Sequence, residues 1–234
     1  MQSEFERSAR IFGWEKMETL AKKRVAVFGL GGVGGACFEA LVRGGIGHFV
    51  IVDGDKVDVS NLNRQILFTH DEVGMSKVQI ALERAKKINP LVEVDAKEMF
   101  YLPENANEID LSQCDYAVDA VDTVAAKLEI IRRCKEAGVP IISAMGCGNK
   151  VDPEKLRIAD IYKTDTCPLA RIMRANLRKM GIKDLKVVYS TEVPLKSKRE
   201  EGAKRTSPGS TSFVPPVAGY LMAGQVIRDL VNEE

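Results

Sequence analysis

Gly29-Leu30-Gly31-Gly32-Val33-Gly34-Gly35 meets the spacing G-x-G-x-x-G, directly after the apolar run Arg24-Val25-Ala26-Val27-Phe28 and at the start of a helical pattern. Glycines at those positions let backbone N–H groups approach phosphate oxygens, and a helix N-terminus adds partial positive charge. Asp53 stands nineteen positions beyond Gly34, at the end of a second strand pattern, where a carboxylate can hold ribose hydroxyls. By themselves these residues point to a nucleotide-binding α/β unit. NAD is the ordinary ligand of that fingerprint, and a glycine turn without ligand is the bland alternative. A further candidate is Thr166-Cys167-Pro168-Leu169, a thiol near Lys163 and Arg171, cations able to lower its pKa. A structural place is the stronger expectation for Cys167, and core packing for Cys37, Cys134 and Cys147.

The block Asp53-Gly54-Asp55-Lys56-Val57-Asp58-Val59-Ser60-Asn61-Leu62-Asn63-Arg64-Gln65 has no derivable purpose in hydride transfer. It resembles the D-x-D-x-V-x-x-S-N-L-N-R-Q signature of the ubiquitin-activating-type (ThiF-HesA-MoeB) adenylating enzymes. Bacterial members of that superfamily adenylate sulfur-carrier proteins. The resemblance continues, in order, at Gly74-Met75-Ser76-Lys77, Ile88-Asn89-Pro90 and Asp119-Ala120-Val121-Asp122, and so spans residues 5 to 150. It implies ATP and Mg2+. It also implies a phosphate turn at Gly29, Gly31, Gly32 and Gly34, with Arg64 and Lys77 on the phosphates. Asp122 would position magnesium and Asp53 the ribose, with Asn61 and Gln65 as polar partners. Asp55 belongs either to that site or to a local cap. Arg7 matches an arginine that reaches across a homodimer to the γ-phosphate, although Arg10 lies close by. Attack of a carboxylate on the α-phosphate joins two anions, so cations must surround the triphosphate. Each unit pair at ~4 Å and an effective dielectric of ~20 is worth roughly 4 kcal/mol.

Relatives that serve sulfur carriers commonly hold zinc in two C-x-x-C pairs. The five Cys here, at 37, 114, 134, 147 and 167, form none. In the C-terminal third, Asn149-Lys150-Val151-Asp152-Pro153-Glu154-Lys155-Leu156, Cys167-Pro168-Leu169-Ala170, Tyr189-Ser190-Thr191-Glu192 and Pro208-Gly209-Ser210-Thr211-Ser212-Phe213-Val214-Pro215-Pro216 follow in order. Together they resemble the tRNA threonylcarbamoyladenosine dehydratase branch. That branch implies ATP-dependent cyclisation of the modified nucleoside through an acyl-adenylate, with tRNA as the partner. The alternatives are an adenylyltransferase for the Gly-Gly end of a carrier protein, a nucleotide-binding adaptor without turnover, and an NAD dehydrogenase. A sulfurtransferase partner stays open. Residues Arg171 to Arg205 carry eleven Lys and Arg against four Asp and Glu, a balance of +7 in a chain whose total is +1. Arg171, Arg174, Arg178 and Lys179 share a helix face by spacing and suit RNA phosphates; a solvated face is the bland reading.

The elements that must position these residues alternate through residue 144: strands at 24–28, 48–52, 92–96, 116–119 and 140–144, helices at 35–43, 77–88 and 123–136. The expected fold class is α/β, a Rossmann-like doubly wound sheet, parallel in its N-terminal part with antiparallel C-terminal additions. The expected organisation is one ThiF-type adenylating domain over 1–234. Residues 1–23 are N-terminal helices, 24–145 the nucleotide-binding half and 146–234 the substrate-side half with a flexible basic loop at 196–212. Further strands are expected at 147–152, 157–162 and 186–193, joined in hairpin fashion, and a last apolar helix at 216–231. No run approaches ~18 apolar residues, and the N-terminus is polar. The reading is therefore no membrane span and, with scattered unpaired Cys, a cytoplasmic protein.

Overall fold

Continuous apolar runs become strands buried on both faces, because helices cover both sides of a parallel sheet. The computed structural model describes residues 3–196 and 208–232. Among them β1 (Arg24–Phe28), β2 (His48–Val52), β3 (Glu93–Lys97), β4 (Tyr116–Asp119), β5 (Ile141–Ala144), β6 (Leu156–Asp160) and β7 (Lys186–Ser190) form one sheet. Its order is β3-β2-β1-β4-β5-β7-β6. All neighbours run parallel except β6, which lies antiparallel to β7. Strand order reverses at β1, between β2 and β4, and the crevice beyond the carboxyl ends of such strands is where ligands bind in open α/β sheets.

Helices α1 (Glu6–Phe12) and α2 (Trp14–Lys22) precede the sheet; α3 (Gly34–Arg43), α4 (Lys77–Ile88), α5 (Val124–Ala137), α6 (Pro168–Lys179) and α7 (Val214–Val231) accompany it. Side chains of β1 alternate between two cores. Val25 and Val27 join α3, α4 and α7, while Ala26 and Phe28 join α5 and α6. Gly45 at φ 93° follows the Gly44 that caps α3, and Gly138 at φ 70° caps α5, left-handed positions that favour glycine. The α3–α7 crossing is close: a Cβ on Gly219 would overlap the Val33 carbonyl oxygen and lie 2.8 Å from the Cys37 backbone nitrogen. Gly219→Ala is therefore expected to lower stability by about 1–3 kcal/mol, the usual cost of overpacking. A thermal melt with an unchanged Tm would show that these helices part without penalty.

Residues 147–152, expected as a strand, form a turn. Asn149 sits at φ 58°, and its N–H donates to the Gly209 carbonyl (2.7 Å) while its own carbonyl accepts from the Leu195 N–H (2.8 Å). The N–H groups of Val151 and Asp152 donate to the Glu192 carboxylate. With those groups engaged, no ladder can form. The antiparallel addition is instead β6 on β7, and α6 separates the two, so no tight hairpin joins them. The strand expected at 157–162 starts at Leu156 and ends at Asp160, and β7 stops at Ser190. β3 begins one residue later than expected and α7 two residues earlier. Most of the basic loop, residues 197–207, lies outside the described residues. No described helix is long and apolar enough to cross a membrane.

Candidate active site

A cavity of about 490 Å³ opens at the switch point, lined by Gly29, Gly31, Gly32, Asp53, Asp55, Asn61, Arg64, Gln65, Lys77 and Asp122. Ten of the twelve residues singled out in the sequence therefore meet in one place. Gly34 lies just beneath, buried, where a Cβ would overlap the Gly29 carbonyl oxygen. Its part is to keep the turn tight. Gly29 has φ 85°, and a Cβ there would stand 2.8 Å from the Ala120 carbonyl oxygen, so β1 and β4 approach closely at their ends. On Gly32 a Cβ would press on Pro215 (3.0 Å) and on the Arg64 stem (3.3 Å). Arg7 is not brought to the cavity: it is exposed on α1.

Asp53, at the end of β2, accepts the Leu30 N–H at 2.6 Å on one oxygen and the Asp55 N–H at 2.8 Å on the other. The carboxylate thus fixes the glycine turn and keeps lone pairs for a diol. Burial pushes its pKa up, more strongly than the Lys77 charge and the two N–H donors pull it down. Lys77 opens α4 with a side chain only 4% exposed, and its ammonium meets Asp55 Oδ2 at 2.9 Å. Asp55 is thus a counterion within the site. Arg64 Nη1 donates to the Ser60 carbonyl (2.8 Å) and to Asn63 Oδ1 (2.9 Å), leaving its other N–H groups for an anion. Asn61 caps its own loop by accepting the Asp58 N–H. Gln65 is buried, and its Oε1 has no hydrogen-bond partner. An unpaired buried amide oxygen on a cavity wall fits a site shaped for a polar ligand. Asp122 is exposed, on the loop between β4 and α5.

Several contributors were not among the twelve residues singled out in the sequence. The wall opposite the glycine turn comes from Met99, Phe100, Tyr101 and Leu102. Phe100 is 62% exposed, and a Cβ on Gly54 would lie 2.8 Å from its ring. Four apolar residues in a loop straight after an edge strand were the available hint. Beneath the site, Lys127 Nζ donates to Asp119 at 3.0 and 3.1 Å and to the Ala144 carbonyl at 2.7 Å, and Ser143 donates to Asp119 at 2.5 Å. Asp119 in turn accepts the Val121 N–H, so this buried group shapes the turn that carries Asp122. Above the site, Asn63 donates to the Ser210 carbonyl (3.0 Å), which ties the segment before α7 to the Arg64 loop.

The basic helix is only partly as its spacing suggested. Arg171, Arg178 and Lys179 are exposed on α6, whereas Arg174 turns inward onto the Thr164 carbonyl and hydroxyl. All five cysteines are free and buried. Burial pushes the thiols of Cys37, Cys114, Cys134 and Cys147 upward, to about 11 for Cys114 and Cys147 and about 12 for Cys134. Cys167, at 2% exposure, is closed to solvent.

The model of the ThiF family matches residues 5–234. Over its full length the chain is 40% identical to the tRNA threonylcarbamoyladenosine dehydratase of Bacillus subtilis, covering 96% of that protein. The fold superposes on E. coli tRNA N6-threonylcarbamoyladenosine dehydratase in complex with AMP at a TM-score of 0.89 and 30% identity, covering 97% of this chain and 93% of that one. The same enzyme in complex with ATP superposes at 0.86 over the same shares. Similarity to the sulfur carrier protein adenylyltransferase of Thermus thermophilus is 38% identity over 56% of this chain and 48% of that one.

Proposed function

Because the chain belongs to the ThiF family, we propose that the cavity binds ATP and activates the threonyl carboxylate of threonylcarbamoyladenosine in tRNA, leading to its cyclic, dehydrated form. The carrying observation is that similarity to the dehydratase runs through all of the chain, C-terminal third included. Similarity to the carrier-protein adenylyltransferase covers 56%.

In this reading the substrate carboxylate attacks the α-phosphorus of ATP and pyrophosphate leaves. The carbamoyl oxygen then attacks the activated carbonyl, AMP leaves, a proton is lost, and the nucleoside is lighter by one water. Nucleophile and acyl-adenylate sit on one side chain, so closure is unimolecular and needs no protein nucleophile. That agrees with the burial of Cys167. Asp53 holds the ribose, the Gly29–Gly34 turn supplies N–H donors, and Arg64 and Lys77 neutralise the phosphates. The exposed Asp122 carboxylate on the cavity wall suits Mg2+, which is commonly held by one or two carboxylates together with phosphate oxygens and water. Magnesium, when bound, adds further neutralisation of the triphosphate.

Arg7 lies away from the cavity, so its part requires a homodimer in which it serves the partner's site. Residues 1–234 act as one unit, with 24–145 carrying the nucleotide and 146–234 facing the tRNA. Five unpaired thiols suit the cytoplasm, and a sulfurtransferase is an optional partner. The test is mass spectrometry of nucleosides from threonylcarbamoyladenosine-bearing tRNA incubated with the protein, ATP and magnesium. The expected result is an ATP-dependent loss of one water from that nucleoside, reduced at least about 100-fold in Asp122→Ala, the scale of one lost electrostatic contact. An unchanged nucleoside despite ATP binding would move the assignment to the carrier-protein adenylyltransferase. AMP transfer to a Gly-Gly carboxylate would then establish that activity.

A further inference from the structure

The outer face of α6 and the segments flanking it carry cations that the fold leaves without carboxylate partners among the described residues. Between residues 163 and 183 the sole carboxylate is Asp165, which accepts from the Thr166 hydroxyl at 3.3 Å. Lys163, Arg171, Arg178, Lys179 and Lys183 are exposed. None of them forms an ion pair among the described residues. The cations around them do: Lys135 meets Asp184 at 2.5 Å, Lys186 meets Asp229, and Arg132 is held by Glu129 and Glu136. Arg174, the α6 cation that turns inward, donates through Nη1 to the Thr164 carbonyl and hydroxyl. The exposed cations between 163 and 183 thus lack the carboxylate partners that neighbouring cations have. The Arg178–Tyr162 contact and the Tyr162 hydroxyl donating to the Ile182 carbonyl bring the segments that carry Lys163, Arg178 and Lys183 to one side.

Their spacing gives that side a shape. Arg171, Arg178 and Lys179 stand at i, i+7 and i+8, opposite the buried Ala170, Met173 and Leu177. Eight residues of helix extend about 12 Å, enough to meet successive phosphates of one strand. Arg178 Cζ lies 5.4 Å from the Tyr162 ring centroid, a cation–π placement that uses none of its N–H donors on a carboxylate. The helix also points the right way. The Sγ of Cys167, its N-cap residue, would lie 3.9 Å from a Cβ on Gly146, just beyond β5. The helix therefore starts on the carboxyl-end side of the parallel strands, the side on which the cavity lies, and runs away from it.

We infer that this face, Lys163, Arg171, Arg178, Lys179 and Lys183, is where the sugar-phosphate backbone of the tRNA lies while its modified nucleoside occupies the cavity. The inference rests on the tRNA reading above. A run of cations without carboxylates suits a polyanion, and phosphate contacts give affinity and salt dependence without reading sequence.

The test compares the parent protein with Arg171→Ala/Lys179→Ala/Lys183→Ala, which spares the Arg178–Tyr162 contact. A Lys86→Ala/Lys87→Ala control changes two exposed cations on α4. Each is titrated with tRNA over a series of salt concentrations and assayed for ATP binding and nucleoside dehydration. The triple variant is expected to bind tRNA at least about tenfold more weakly, with a salt slope lower by about two to three. Its ATP affinity and its kcat at saturating tRNA should match the parent, so that the loss falls on KM for tRNA. The α4 control should bind as the parent does. Equal tRNA affinity and slope in parent and triple variant would overturn the inference, as would a parent that does not bind tRNA. Loss of binding to vesicles of anionic lipid, with tRNA binding intact, would reassign the face to a membrane surface. Weakened tRNA binding together with no dehydration by the parent would leave the inference standing and remove the dehydratase reading.

Discussion

Lys77→Ala is expected to lower pyrophosphate release in the presence of ATP and modified tRNA by about 10³-fold while the protein stays folded. Lys77 is a cation with only 4% of its side chain exposed, on the wall of the cavity proposed above as the ATP site. One charge pair at ~4 Å and an effective dielectric of ~20 is worth roughly 4 kcal/mol, and every 1.36 kcal/mol changes a rate about tenfold. Stability should fall little, because the carboxylate left behind, Asp55, is 54% exposed and water can solvate it. The same geometry sets a contrasting expectation for Asp55→Ala. Removing the counterion that meets Lys77 at 2.9 Å frees the ammonium for phosphate, so activity should hold within a few-fold. Steady-state assays on both variants decide the matter. A Lys77→Ala enzyme within tenfold of the parent would show that Arg64 alone carries the phosphates.

How much of this was legible beforehand depends on whether a residue's partner lies nearby in sequence. The glycine turn and Asp53 were readable because the chemistry fixes their spacing, and the turn also needs its neighbours to lack side chains. Lys77 was readable only through its motif: nothing local tells a buried cation at a helix start from a surface one. Asp55 was left undecided for the same reason, since its partner is 22 positions away. Lys127 escaped notice because it looks like any lysine on an amphipathic helix. Only the approach of β5, which brings Ser143 and Ala144 against Asp119, reveals its place. The strand expected at 147–152 failed where a long-range partner took over the backbone, since Gly209 lies 60 residues beyond Asn149. Arg174 was misplaced on the outer face because helical spacing is blind to the loop at Thr164 that captures it.

That buried lysine leads to the second large effect. Lys127→Met is expected to destabilise the protein by about 3–5 kcal/mol, because it strands the Asp119 carboxylate, 0% exposed, without a counterion. Ser143 would remain as a donor at 2.5 Å, but one hydroxyl does not offset a desolvated charge. Adding Asp119→Asn removes that charge and should return much of the loss, since a neutral amide can accept the Val121 N–H on its oxygen and donate its NH2 to the Ser143 hydroxyl. Chemical denaturation of the two single variants and the double variant gives the coupling directly. Additive losses would show that the pair contributes no more than its separate parts. Activity should recover less than stability. Asp119 and Lys127 clamp the ends of β4 and β5, and the turn they shape runs through Ala120, against Gly29, to Asp122 on the cavity wall. A neutral pair restores packing, while the turn keeps one hydrogen bond where it had a charge-assisted one. A double variant with parental stability and parental magnesium dependence would show that Asp122 finds its place without the network below it.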